Sequence, residues 1–101
     1  MREEFRSDLL EIGRLLVSMA EAVQTAMRRA TTALLTADRA AAEAVVANDQ
    51  EIDELDRRVE DAVYDVLARQ APVASDLRLV VTALHIAADL ERMGDLADHV
   101  A

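Results

Sequence analysis

The chain has 101 residues and is 52% apolar, yet it holds one phenylalanine, one tyrosine, one proline and two glycines, which excludes a β-sandwich or barrel with a turn every 8–12 residues or so. Eleven basic residues, all arginine, against twenty carboxylates leave a net charge of −9, which disfavours binding to phosphate backbones, and two aromatics leave no platform for stacking bases. The absence of cysteine removes disulfides, thiolate metal sites and cysteine nucleophiles together.

The first predicted helix covers residues 3–36. Phe5, Leu9, Ile12, Leu16, Met19, Val23, Ala26, Ala30 and Ala33 alternate steps of four and three, the spacing of a coiled-coil seam. At ~1.5 Å per residue such a helix is roughly 45–50 Å long, so it must lie along partners. Asp38 is placed to cap a short alanine-rich helix over 39–47. Asn48-Asp49-Gln50-Glu51 has the form of a capping box and predicts a fresh helix over 49–69. Its seam is Ile52, Leu55, Val59, Ala62 and Val66. Pro72 ends the pattern, because proline lacks an N–H and clashes with a continuing helix.

Ser75 is the expected cap of the last helix, over 75–101, with Asp76 in its positive first turn. Leu79, Ala83, Ile86, Leu90, Met93, Ala97 and Val100 form its predicted seam. The closing Asp98-His99-Val100-Ala101 has no glycine or asparagine cap and the seam is still running, which predicts a helix cut short and a chain that is part of a longer protein. The expected fold is all-α: one domain, an antiparallel three-helix bundle of long helices with a short elbow helix. The longest apolar stretch, 79–88, contains Thr82 and His85 and falls short of the ~20 residues of a membrane span. The opening Met-Arg-Glu-Glu lacks the start of a signal peptide, and the expected location is the cytoplasm.

Eight acids fall in residues 1–50 and twelve in 51–101. Asp49, Asp53, Asp56 and Glu60 make one stripe beside the second seam, and Glu91, Asp95 and Asp98 another beside the third. Asp49 and Asp95 stand equally far from Pro72, as do Asp53 and Glu91. If both arms are regular helices, these four carboxylates occupy two adjacent levels and supply the hard oxygen ligands that Mg²⁺, Mn²⁺, Ca²⁺ or Fe prefer. The plainer reading is a solvated acidic face. His99 reads first as an exposed side chain and second as an extra ligand, while His85 reads as a partly buried, hydrogen-bonded histidine. Arg92 is placed to pair with Asp89 on the surface. Gly94, inside a helix, is explained by a close backbone approach, by room for a ligand, or by drift alone.

The segment Pro72-Val73-Ala74-Ser75-Asp76-Leu77-Arg78, followed by Ala87-Ala88-Asp89-Leu90-Glu91-Arg92-Met93-Gly94-Asp95, resembles the signature of the PhoU family. Asn48-Asp49-Gln50-Glu51-Ile52-Asp53 is similar to the start of that family's middle helix, and Leu34-Leu35-Thr36-Ala37-Asp38 fits its elbow. The resemblance implies one three-helix repeat of a two-repeat protein. It implies a cytoplasmic, non-enzymatic regulator of phosphate uptake and phosphate-starvation signalling. The implied partners are the ATPase subunit of a phosphate ABC transporter and a sensor histidine kinase, and the chain is expected to be a homo-oligomer, a dimer in the simplest case. It also implies a metal site at Asp49, Asp53, Glu91 and Asp95, for Fe, Mn, Mg or Zn. The competing expectation is a purely structural helical oligomerisation module without a metal. A dimetal enzyme would need a tuned base and an open coordination position, and no residue besides His99 offers one.

Overall fold

The computed structural model describes residues 2–37, 39–70 and 74–100. Three helices account for nearly all of it: α1 (Arg2–Thr36), α2 (Arg39–Gln70) and α3 (Ala74–Val100). They form the expected three-helix bundle, a rod measuring 52 × 17 × 15 Å. Its long dimension is that of α1, 35 residues at ~1.5 Å each. The expected cap Asp38 and the expected helix breaker Pro72 lie outside the described residues, as does the side chain of Ser75.

The predicted break near residue 48 does not exist. α2 runs without interruption from Arg39 to Gln70, so the short helix 39–47 and the longer 49–69 are one. The reason is local. No glycine or proline interrupts this span, and the Ala-rich start has high helix propensity. The buried Asn48 side chain is engaged elsewhere: its Oδ1 accepts a hydrogen bond from Arg29 Nη1 at 2.5 Å, across the α1–α2 contact. It is an interhelical acceptor and not a cap. The reversal between α1 and α2 is carried instead by Ala37, whose φ of 51° is left-handed, a conformation that glycine adopts more cheaply.

The seams of α1 and α2 are where the periodicity puts them. Phe5, Ile12, Met19, Val23, Ala26, Ala30 and Ala33 are buried on α1, and Ile52, Leu55, Val59 and Val66 on α2. The seam of α3 is in part as expected: Ala83 and Ala97 are buried and Leu90 packs half-buried against the core. Leu79 (56% exposed), Ile86 (43%), Met93 (42%) and Val100 (54%) lie outside it, and Val80 and Ala87 are buried in addition. The fully buried positions are the small ones, and small residues let helix axes approach closely.

At one end of the rod Arg69 ties α2 to the start of α1, donating to Glu4, to Asp8 at 3.0 Å and, within its own helix, to Asp65 at 2.8 Å. Asp65 first and then Asp8 hold the guanidinium's pKa above its usual value. Being largely exposed, such pairs stabilise little. Among the described residues no helix is long and apolar enough to cross a membrane.

Candidate metal centre

The narrow approach of α3 to α2 has a local cause. A Cβ on the buried Gly94 would lie 2.8 Å from Ile52 Cδ1, 3.5 Å from Ile52 Cγ2 and 3.8 Å from Asp49 Oδ1. Of the readings of Gly94, close approach is the correct one. The other helical glycine, Gly13, has nothing within 4 Å of such an atom.

Beside this contact the two acidic stripes meet. Carboxylate oxygens of Asp49, Asp53 and Asp95 all lie within 4.8 Å of one another. Asp49 and Asp53 are partly buried and Asp95 is exposed, so the cluster is a cleft open to solvent. Asp49 Oδ1 is itself buried and has no hydrogen-bond partner. An orphan carboxylate oxygen is costly, and a cation is one means of satisfying it. Ligand distances of about 2.0–2.6 Å place oxygens on opposite sides of Mg²⁺ or Ca²⁺ about 4–5 Å apart and neighbouring ones about 3–3.7 Å apart. A spacing of up to 4.8 Å is the outer limit of that range, so the three acids would draw together around a hard cation.

The fourth expected ligand is displaced. Glu91 faces Asp56, one turn further along α2, and the two carboxyls share a hydrogen bond. That bond, burial, and the charges of Asp56, Asp53 and Asp95 push Glu91 up to about 7. Asp49 is pushed up to about 6, first by burial, then by a hydrogen bond with Asp95 and by the charges of Asp53, Asp95 and Asp98. Glu60, next in the stripe, is also raised, by burial and by Asp56. Asp56, buried, is the residue that the predicted four-acid set omits. Symmetry about Pro72 pairs Glu91 with Asp53, and a stagger of one turn pairs it with Asp56 instead. Membership of the α2 stripe was the available signal.

Neither histidine joins the cluster. His99 and His85 are both exposed, so the expected partial burial of His85 is wrong, because it stands beside Ile86 on the part of α3 that lies outside the core. Arg92 Nη1 pairs with Asp89 at 3.7 Å on the surface, as expected.

Comparison with known proteins gives the family. The PhoU domain matches residues 16–101. The chain belongs to the PhoU family. It is 45% identical, over its whole length, to the phosphate-specific transport system accessory protein PhoU homolog 2 of Mycobacterium tuberculosis (strain ATCC 25618 / H37Rv), covering 47% of that protein. It is 43% identical over its whole length to PhoU homolog 1 of Mycobacterium leprae (strain TN), covering 46% of that relative. With the PhoU homolog of Pseudomonas putida it shares 35% identity over 99 residues, which is 98% of this chain and 39% of the relative. The chain thus spans about half the length, or less, of these curated PhoU relatives.

Proposed function

We propose that this chain is a regulatory module of a phosphate-specific transport system, acting by protein contact and carrying a divalent or ferric cation on the face between α2 and α3. The names of its relatives, each an accessory protein of phosphate-specific transport, support the first part. In this reading the module sits in the cytoplasm, docks on the ATPase subunit of a phosphate ABC transporter and on a sensor histidine kinase, and lowers uptake and starvation signalling. It catalyses no reaction.

The observation that carries the cation site is the buried, unpartnered Asp49 Oδ1 beside Asp53 and Asp95. Asp49, Asp53 and Asp95 hold the ion, and the Glu91–Asp56 pair lies one turn away along the same cleft. The ion's charge would offset the stripe and so set the potential of the docking face. A thermal melt of the metal-stripped chain with added Mg²⁺, Mn²⁺, Fe or Zn²⁺ tests it. At 100 times its dissociation constant an ion stabilises by about 2.7 kcal/mol, several degrees in a domain this size. The fourfold alanine variant at Asp49, Asp53, Glu91 and Asp95 should show no such shift. An equal response in both chains, or none in either, would remove the site.

A second reading, a helical oligomerisation module with an unoccupied acidic face, is favoured by the exposed Leu79, Ile86, Met93 and Val100. It would make the isolated chain a dimer whatever the cation, which sedimentation with and without metal decides.

A further inference from the structure

We infer that Gly94 is the spacing residue of the acidic cleft: by carrying no side chain where α3 meets Ile52, it sets the helix separation at which Asp49, Asp53 and Asp95 converge. The inference rests on the cation-site reading and names the positioning residue of that site.

Carbon atoms pack at about 3.5–4.0 Å, whereas a methyl on residue 94 would stand 2.8 Å from Ile52 Cδ1. The overlap is roughly 0.7 Å against the nearer limit. Ile52 is wholly enclosed in the core, where dense packing makes a turn of its terminal methyl costly. The competing relief is for α3 to move away from α2, and the inference is that the helix moves. Such a movement acts on the ligands at once, since Asp95 adjoins residue 94 in sequence and Asp49 Oδ1 lies 3.8 Å from the same point. Binding constellations tolerate displacements of only about 0.5 Å, so the shift is large enough to matter. Glycine also stands here against the preference of the helix, which favours alanine at interior positions. Gly13, facing open space, is the internal control.

The test measures Mn²⁺ affinity by calorimetry, with helicity by circular dichroism, for the parent chain, Gly94→Ala, Ile52→Val, the double variant Gly94→Ala/Ile52→Val, and Gly13→Ala. Ile52→Val removes Cδ1, the atom that the new methyl meets. Gly94→Ala should bind Mn²⁺ about tenfold more weakly, in the range seen when groups that orient metal ligands are lost. The double variant should return to within about twofold of the parent, while Ile52→Val and Gly13→Ala alone should bind as the parent does.

Unchanged affinity in Gly94→Ala overturns the inference. So does a loss that Ile52→Val fails to rescue, or a double variant that does not fold, because relief of one methyl contact should restore both. A parent chain that takes up no Mn²⁺ sinks the cation-site reading itself, which is a different result from a parent that binds and a Gly94→Ala that binds equally well.

Discussion

Asp49 and Glu91 hold their protons to about 6 and about 7, from ordinary values of 3.8 and 4.5, because burial, shared hydrogen bonds and neighbouring carboxylates all oppose ionisation. A folded-state pKa raised above the unfolded one contributes stability that is complete below the unfolded value and is lost as pH rises through the folded one. The metal-stripped chain should therefore melt at a higher temperature at pH 5 than at pH 8, with the loss spread between about pH 4 and 7. A saturating cation should reverse the slope, since it binds the deprotonated carboxylates. Calorimetric melts across that range check both signs, and a flat profile without metal would contradict the crowding of the cleft. The α2 stripe and the Glu91–Asp95 pair were legible from spacing alone. The exchange of Asp53 for Asp56 opposite Glu91 was not, because the two lie one turn apart on the same stripe and a sequence does not carry the axial stagger of two packed helices.

At the scale of the element, the misread part of the α3 seam has a clear cause. The expected seam put Leu79, Ile86, Met93 and Val100 inward with Ala83 and Ala97, whereas the bundle keeps only the two alanines of these six and adds Val80 and Ala87. Both stripes are apolar, and periodicity cannot choose between two apolar faces of one helix. The seam of α1 was legible despite the exposed Leu10, Val17, Met27 and Leu34, because its steps of four and three run unbroken from Phe5 to Ala33. The split predicted at Asn48 failed for a related reason. A capping sequence is local, and the Arg29 hydrogen bond that occupies the Asn48 side chain comes from 19 residues away. Ile86→Gln should change stability by no more than about 0.5 kcal/mol, as at other exposed sites. Ala87→Leu, forced into the tight α3 contact, should cost about 1–3 kcal/mol. Urea titrations compare the two directly. The reverse ranking would return α3 to the seam its large residues suggest.

For the whole molecule, a net charge of −9 and the convergence of two acidic stripes act in the same direction. Self-repulsion between exposed carboxylates is screened over about 10 Å at 0.1 M salt. Raising NaCl from 0.05 to 0.5 M should therefore raise the melting temperature of the metal-stripped chain and, by the same screening, weaken its cation affinity. Opposite responses of the two quantities in one titration would mark repulsion in the cleft as their common source. A melting temperature that fell with salt would instead point to the Arg69 cluster as the dominant electrostatic contribution.

The same small inward face of α3 carries a dynamic consequence. α1 and α2 bury Ile12, Leu15, Met19, Ile52, Leu55 and Val59 between them, while the fully buried apolar side chains of α3 are three alanines and one valine, with Leu84 and Leu90 half-buried against them. Because apolar stabilisation scales with the area removed from water, at about 25 cal/mol per Å², peeling α3 from the α1–α2 hairpin costs less than opening the hairpin. α3 is then the first helix to leave, and in local unfolding such a segment opens well below the free energy of the whole domain. An ion bridging Asp49 and Asp53 to Asp95 would act as a staple across the weakest seam of the bundle. The lifetime of the docked third helix would then report how much of that ion is present.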